Sequence, residues 1–384
     1  MSTATETKPL IILGSGMAGY QLAMEIRTRQ PRLPLLLITQ DAGHFYSKPL
    51  LSTALAKSQA PEQLSIASPR DQAEALGIQI ITHAKVDRID SNRKQVHLDD
   101  QDYAYSKLIL ALGAEPQHLP APPEALFSIN DLEDYEVFRR ELEGKKKVLV
   151  MGGGLVGVEM AQDLLSSGFE VTLVSRSKHL LPSLLPPEVA QPLETALVDK
   201  GLNLLTQESF KLIDGRPGDW QVELESGLLL ETELIISALG LQPRTQLAAE
   251  AGLETRRGIC VNRQLQTSDP DIYALGDCAE IAGHNLMYVQ PLMASARTLA
   301  AHLTGEEVQL ELPPLPVLVK TPSCPVVAAP PPESAEGEWT FDLQEGAAEG
   351  QFRSPEGQLL GFALSGKAVR RKVQLVKEMP PLIA

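Results

Sequence analysis

Gly14-Ser15-Gly16-Met17-Ala18-Gly19 follows an apolar run over residues 9–13 and opens a helical pattern with Leu22, Ala23 and Ile26 on one face. A second apolar run at residues 35–39 completes a βαβ unit, the context in which G-x-G-x-x-G carries meaning. The first glycine permits a tight turn, the second lets a pyrophosphate approach the backbone, and the third lets helix and strand pack closely. Phosphates then lie at a helix N-terminus, where free N–H groups and the dipole favour negative charge. Gly152-Gly153-Gly154-Leu155-Val156-Gly157 repeats the pattern between an apolar run at 147–151 and a helical stretch through Leu165, with a further strand at 170–174. Two such turns predict two dinucleotides and point to electron traffic between them.

Working outward, Lys107-Leu108-Ile109-Leu110-Ala111-Leu112-Gly113-Ala114 reads as a buried strand ending in a glycine turn, and Leu234-Ile235-Ile236-Ser237-Ala238-Leu239-Gly240 nearly copies it. Each is expected to close one sheet beside its nucleotide, which places Ala111 and Gly113 at the first site and Gly240 at the second. The proline-rich stretch 116–123 reads as a crossover and 241–244 as the return. The predicted fold is α/β with two Rossmann-like dinucleotide-binding domains. Residues 1–115 and 241–312 form the first, 116–240 are inserted as the second, and 313–384 form a small C-terminal α+β domain. That last domain is expected to hold strands near Phe341, 351–353 and 358–364 and a helix over 366–377. Residues 328–338, rich in proline and glutamate, read as an exposed loop.

Composition narrows the function classes. With 43% hydrophobic and 22% charged residues the chain is an ordinary globular protein, long enough for two or three domains. Its formal charge of −15 disfavours nucleic acid and anionic membrane as partners. No apolar run approaches the roughly 18 residues that span a bilayer, and residues 1–8 are polar, so the expectation is a cytoplasmic protein. Cys260, Cys278 and Cys324 form no C-x-x-C pair, and the 7 histidines show no ligand spacing, so no disulfide framework and no metal are expected.

Thr267-Ser268-Asp269-Pro270-Asp271-Ile272-Tyr273-Ala274-Leu275-Gly276-Asp277-Cys278-Ala279 adds a fifth ordered motif. Together with the glycine turns and strand-end glycines, it resembles the FAD-dependent pyridine-nucleotide oxidoreductases over nearly the whole chain. The resemblance implies FAD on the first glycine turn (Gly14, Ser15, Gly16, Met17, Ala18 and Gly19). It implies a nicotinamide dinucleotide on the second (Gly152, Gly154, Leu155 and Gly157). It gives Asp277 the FAD ribityl hydroxyls, which a carboxylate can accept several at once, and gives the backbone of Val86 the adenine. The family's usual ribose glutamate is absent; Thr39 and Asp41 stand in its place. At the corresponding strand end of the second unit stand Ser175 and Arg176, and an arginine there suits a 2′-phosphate.

Phe45-Tyr46-Ser47-Lys48-Pro49-Leu50-Leu51-Ser52 carries none of the redox cysteines that disulfide reductases place beside the flavin. With Asn130-Asp131-Leu132-Glu133-Asp134-Tyr135 and Val319-Lys320-Thr321-Pro322, it looks most like the rubredoxin–NAD reductases. That resemblance implies NADH rather than NADPH, and rubredoxin as a small acidic one-electron partner. Lys48 is expected beside flavin N5, paired with Glu159 on the first turn of the second helix, where a cation can stabilise arriving charge. The helix preceded by Val289-Gln290-Pro291 and running to about Leu303 is expected to aim its N-terminus at the flavin, and Lys320 to contact flavin or partner. Lys367, Arg370, Arg371, Lys372 and Lys377 form the candidate docking face for an acidic carrier. A monomer is expected, because no dithiol requires two subunits. A ferredoxin reductase, a peroxide-forming NADH oxidase and a flavin-bearing redox sensor are the rival readings.

Overall fold

The computed structural model describes residues 8–117 and 119–384. The polar segment 1–7, whose reading bore on localisation, and His118 of the proline-rich crossover lie outside the described residues.

Strands Leu10–Leu13, Leu35–Ile38, Gln79–Ile81, Lys107–Leu110 and Ile272–Ala274 form one parallel sheet. Numbered by their order along the chain, they lie 5-4-1-2-3 across it. Leu10–Leu13, Leu35–Ile38 and Ile272–Ala274 are buried at every position, as strands covered on both faces must be. Helices Met17–Arg29 and Val289–Leu303 cover one face through Tyr20, Leu22, Ala23, Ile26, Ala296 and Leu299, all 0% exposed. Burial of Leu22, Ile26 and Leu299 contributes about 1.5–3 kcal/mol each relative to exposure.

The second sheet repeats the scheme. Lys147–Met151 lies between Glu170–Ser175 and Leu234–Ser237, with Asn203–Thr206 and Leu126–Phe127 at the edges. In both sheets strand order reverses beside the strand that feeds a glycine turn, the place where open α/β sheets bind nucleotides. Each unit also carries a three-stranded antiparallel sheet before its closing strand, 88–104 in the first and 210–232 in the second, which the sequence reading missed. Where the chain passes between units, Ala114–Pro116 and Leu241–Pro243 run antiparallel as a two-stranded ribbon.

The third sheet is antiparallel, with Val317–Val319, Val326–Ala329, Leu359–Gly366, Ala347–Arg353 and Glu338–Gln344 side by side in that order. Ala328, Ala348 and Ala363 on one face admit the helix Pro187–Asp199 through Val189, Ala190, Leu193 and Leu197. The loop expected at 328–338 is found over 330–337, and only its ends differ. Ala328 and Ala329 are buried strand, Ala328 packing toward that helix and Ala329 on the opposite face with Leu375, and Glu338 starts another strand. The single helix expected over 366–377 is instead a 3₁₀ turn, Lys367–Arg371, followed by the helix Lys372–Glu378. No described helix is long and apolar enough to cross a membrane.

Candidate active site

The two glycine turns share one steric design. A Cβ at Gly14 would collide with the Ala111 carbonyl, and one at Gly19 with the carbonyl of Gly14. A Cβ at Gly16 would meet nothing within 4 Å. In the second turn Gly152 is closed by Ala238 and Gly157 by Gly152, while Gly154 again faces open space. The outer glycines therefore fold the turn, and the middle one leaves bare backbone for a pyrophosphate. Gly16 and Gly154 are N-caps without a side-chain bond, and neither helix has an acidic residue in its first turn. Helix Leu132–Glu141, by contrast, is capped by Asp131 and carries Glu133 and Asp134. The two turns thus leave donors for an anion, and the residues fit the dinucleotides that the motifs implied.

A cleft of about 930 Å³ opens at the first turn and runs between the three sheets. Gly14 to Ala18, Thr39, Asp41, Val86, Ala111, Gly113 and Asp277 line it with Lys48, Leu155, Glu159, Val289 and Lys320. Gly19, Gly152, Gly154, Gly157, Ser175, Arg176 and Gly240 do not line it. Ser175 is 4% exposed and accepts from Ser177 N–H at 3.3 Å, and Arg176 is exposed.

Asp41, two residues past Thr39, lies at the cleft wall. Its Oδ1 accepts from Ser15 Oγ at 2.7 Å, Thr39 Oγ1 at 2.8 Å and Gly43 N–H at 2.9 Å. Thr39 is 3% exposed with its hydroxyl committed to this network, so the carboxylate is the better presented of the two. Among the described residues Oδ2 has no partner, which leaves it to accept ribose hydroxyls.

The expected Lys48–Glu159 pair is not formed. Lys48 Nζ donates instead to Asn130 Oδ1 at 2.7 Å. Glu159 is taken from another side: Ser52 Oγ donates to Oε2 at 2.7 Å, Lys320 N–H to Oε1 at 2.9 Å, and Lys320 Nζ lies 2.8 Å from Oε2. Lys320 Nζ also donates to Ser52 Oγ at 2.7 Å and to the Pro49 carbonyl. Since the helix begins at Leu155, Glu159 sits past the first turn rather than within it. Helix Val289–Leu303 likewise starts two residues before Pro291, with Tyr288 as its cap.

Burial lowers the Lys48 pKa against the opposing pull of Asp277, and burial raises that of Asp277 against the pull of Lys48. Asn130, Ser52 and Arg244 are cleft residues that sequence reading missed. None belongs to a glycine motif, although Asn130 and Ser52 stood in segments already singled out and Arg244 in the return at 241–244. No cysteine lines the cleft. Cys278, next to Asp277, is fully buried and burial pushes its thiol up to about 11, which keeps it protonated and unreactive.

Residues 8–300 match the family model described as pyridine nucleotide-disulphide oxidoreductase. The chain belongs to that family. It is a flavoenzyme that draws electrons from a pyridine nucleotide. Residues 309–379 match a second model, described as rubredoxin binding C-terminal domain. A rubredoxin-NAD(+) reductase of Alcanivorax borkumensis is 43% identical over 379 residues, 98% of this chain and 99% of that protein. A nitric oxide reductase FlRd-NAD(+) reductase of Vibrio vulnificus is 38% identical, covering 97% of this chain and 98% of its own. Among solved structures, the covalent putidaredoxin reductase–putidaredoxin complex superposes with a TM-score of 0.88 at 25% identity, over 97% of this chain and 94% of that one. The disulphide part of the family description has no counterpart here, since Cys260, Cys278 and Cys324 are free and outside the cleft.

Proposed function

We propose that this chain passes electrons from NADH through FAD to a rubredoxin, in the cytoplasm and as a monomer. The observation that carries the reading is a flavin cleft walled by lysines and free of cysteine. Bound FAD would supply hydride acceptance from NADH and the release of electrons one at a time. The rubredoxin-binding match at 309–379 and the 43% identical relative support the acceptor and the choice of NADH. Exposed Arg176 is the feature that favours NADPH.

In this reading the first turn, with Ser15, Met17 and Ala18, cradles the FAD pyrophosphate, and Asp41 with Thr39 binds the adenosine ribose. The Val86 backbone meets the adenine, Ala111 and Gly113 floor the site, and Asp277 accepts the ribityl hydroxyls. The helix starting at Val289 directs its N-terminal dipole into the cleft. Gly152, Gly154, Leu155, Gly157, Ser175, Arg176 and Gly240 receive NADH. Lys48 stabilises charge arriving at the reacting ring, while Glu159 and Lys320 hold the three domains in register around it. The domain limits proposed are 1–115 with 241–312, 116–240 and 313–384, which leave each of the three large sheets in one domain.

Anaerobic mixing with NADH and NADPH in turn, followed by rubredoxin, tests donor and acceptor together. Bleaching of the flavin by NADH and its rapid return with rubredoxin support the reading; faster bleaching by NADPH, or no return, opposes it. A ferredoxin-type carrier is the second reading, favoured by the fold shared with the putidaredoxin complex. A ferredoxin in the second syringe distinguishes it.

A further inference from the structure

Of the three lysines that line the cleft, Lys48, Lys85 and Lys320, the first and last have different companions. Lys320 meets the Glu159 carboxylate, whereas Lys48 meets the amide oxygen of Asn130. We propose that Asn130 is a positioning residue that aims the Lys48 ammonium while leaving its charge unneutralised. The inference rests on the reading of this cleft as the flavin site.

Asn130 is well placed for the task. It is 7% exposed, its Nδ2 donates to the Ala114 carbonyl at 3.1 Å, and its backbone N–H donates to Asp134 Oδ2 at 2.9 Å. Those bonds anchor the residue from both units and fix which end of the amide faces Lys48. An amide oxygen accepts a hydrogen bond but brings no charge. Asp277, Asp131 and Asp134 attract Lys48 through space and Arg244 repels it, yet among the described residues no carboxylate forms an ion pair with it. The cation's field is therefore directed at an anion entering the cleft rather than spent on a bonded partner. Lys320, matched by Glu159, contributes far less net charge there. The chain thus gives Lys320 and Lys48 different tasks: the first joins domains and the second sets the electrostatic environment of the bound ring. An isosteric aspartate at 130 would give Lys48 a counter-ion at the same point.

The test is an anaerobic redox titration of the bound flavin in the FAD-loaded full chain, for wild type, Asn130→Asp, Asn130→Ala, Lys48→Met and the Asn130→Ala/Lys48→Met double variant. Flavin absorbance per protein confirms that each variant holds FAD, and Asn130→Ser replaces the alanine variant should it not. Asn130→Asp and Lys48→Met are each expected to shift the reduced-to-oxidised ratio at fixed potential about tenfold toward oxidised, ~30 mV for a two-electron couple. Asn130→Ala should shift it less in the same direction and add nothing once Lys48 is gone. An unmoved potential in Asn130→Asp, or an equal effect of Asn130→Ala with and without Lys48, overturns the proposal while leaving the flavin site in place. An unmoved potential in Lys48→Met overturns it by removing the placement of Lys48 at the flavin.

Discussion

Glu159 is 4% exposed and takes donors from two other parts of the chain, Ser52 and Lys320. A buried carboxylate held this way loses its charge-assisted bonds when replaced by an amide, each worth about 1.5–3 kcal/mol. Glu159→Gln is therefore expected to lower the unfolding free energy by about 2 kcal/mol in urea titration; a change within 0.5 kcal/mol would contradict the assigned network. The cysteines carry the opposite expectation. Replacing Cys260, Cys278 and Cys324 together by alanine should leave carrier reduction within about twofold of wild type, a small barrier change, whereas its abolition would reinstate a thiol step. At this scale the sequence spoke unevenly. Lys48, Glu159 and Lys320 were all recognisable from their motifs, but which lysine meets the carboxylate was not. Glu159 and Lys320 lie 161 positions apart, and only the packing of the third sheet against the second brings them together. The neutral alternative for Lys48 was equally hidden, since an asparagine before a capping aspartate reads as helix punctuation.

Among the elements, the strand–turn–helix pairs were the most legible, because continuous apolar strands and glycine spacing are both local signals. Their steric design separates two glycine substitutions. Gly14 has φ +113 and is closed by Ala111, so Gly14→Ala should strain the turn and impair folding. Gly16, with φ −60 and open space at its Cβ, should tolerate alanine in the fold yet bind FAD at least about tenfold more weakly, 1.4 kcal/mol. Thermal unfolding and FAD titration check the pair; normal FAD affinity in Gly16→Ala would contradict the pyrophosphate cradle. The antiparallel sheets before each closing strand escaped notice because the strands of the first span only 3 or 4 residues and the longest strand of the second is mostly exposed, so neither makes a continuous apolar run. The basic segment changes character too: Arg371 turns to Glu349 at 3.2 Å, leaving Lys367, Arg370 and Lys377 exposed. None of the segment lines the cleft. If it steers an acidic carrier, changing those three residues to glutamine raises the apparent KM about threefold or more at low salt and flattens its salt dependence. An unchanged KM removes the segment from docking.

At the scale of the molecule, the inserted unit is fastened to the first at several points around residues 42–56. Glu133 accepts from Ala42 N–H, Tyr46 Oη accepts from Leu132 N–H, and Asp163 accepts from Leu55 and Ala56 N–H. Glu159 then carries the contact to Lys320, which directly follows the strand Val317–Val319 of the third sheet. The cleft is thus a junction of all three sheets, preorganised by hydrogen bonds between them, and its electron path has no thiol on the way. The balance of that path tests the account most directly. Enzyme reduced anaerobically by one equivalent of NADH and mixed with excess oxidised rubredoxin should yield two reduced rubredoxins per NADH, with the flavin fully reoxidised. A flavin that stays reduced in the presence of the carrier, or that gives up its electrons only to a thiol or to oxygen, would contradict it.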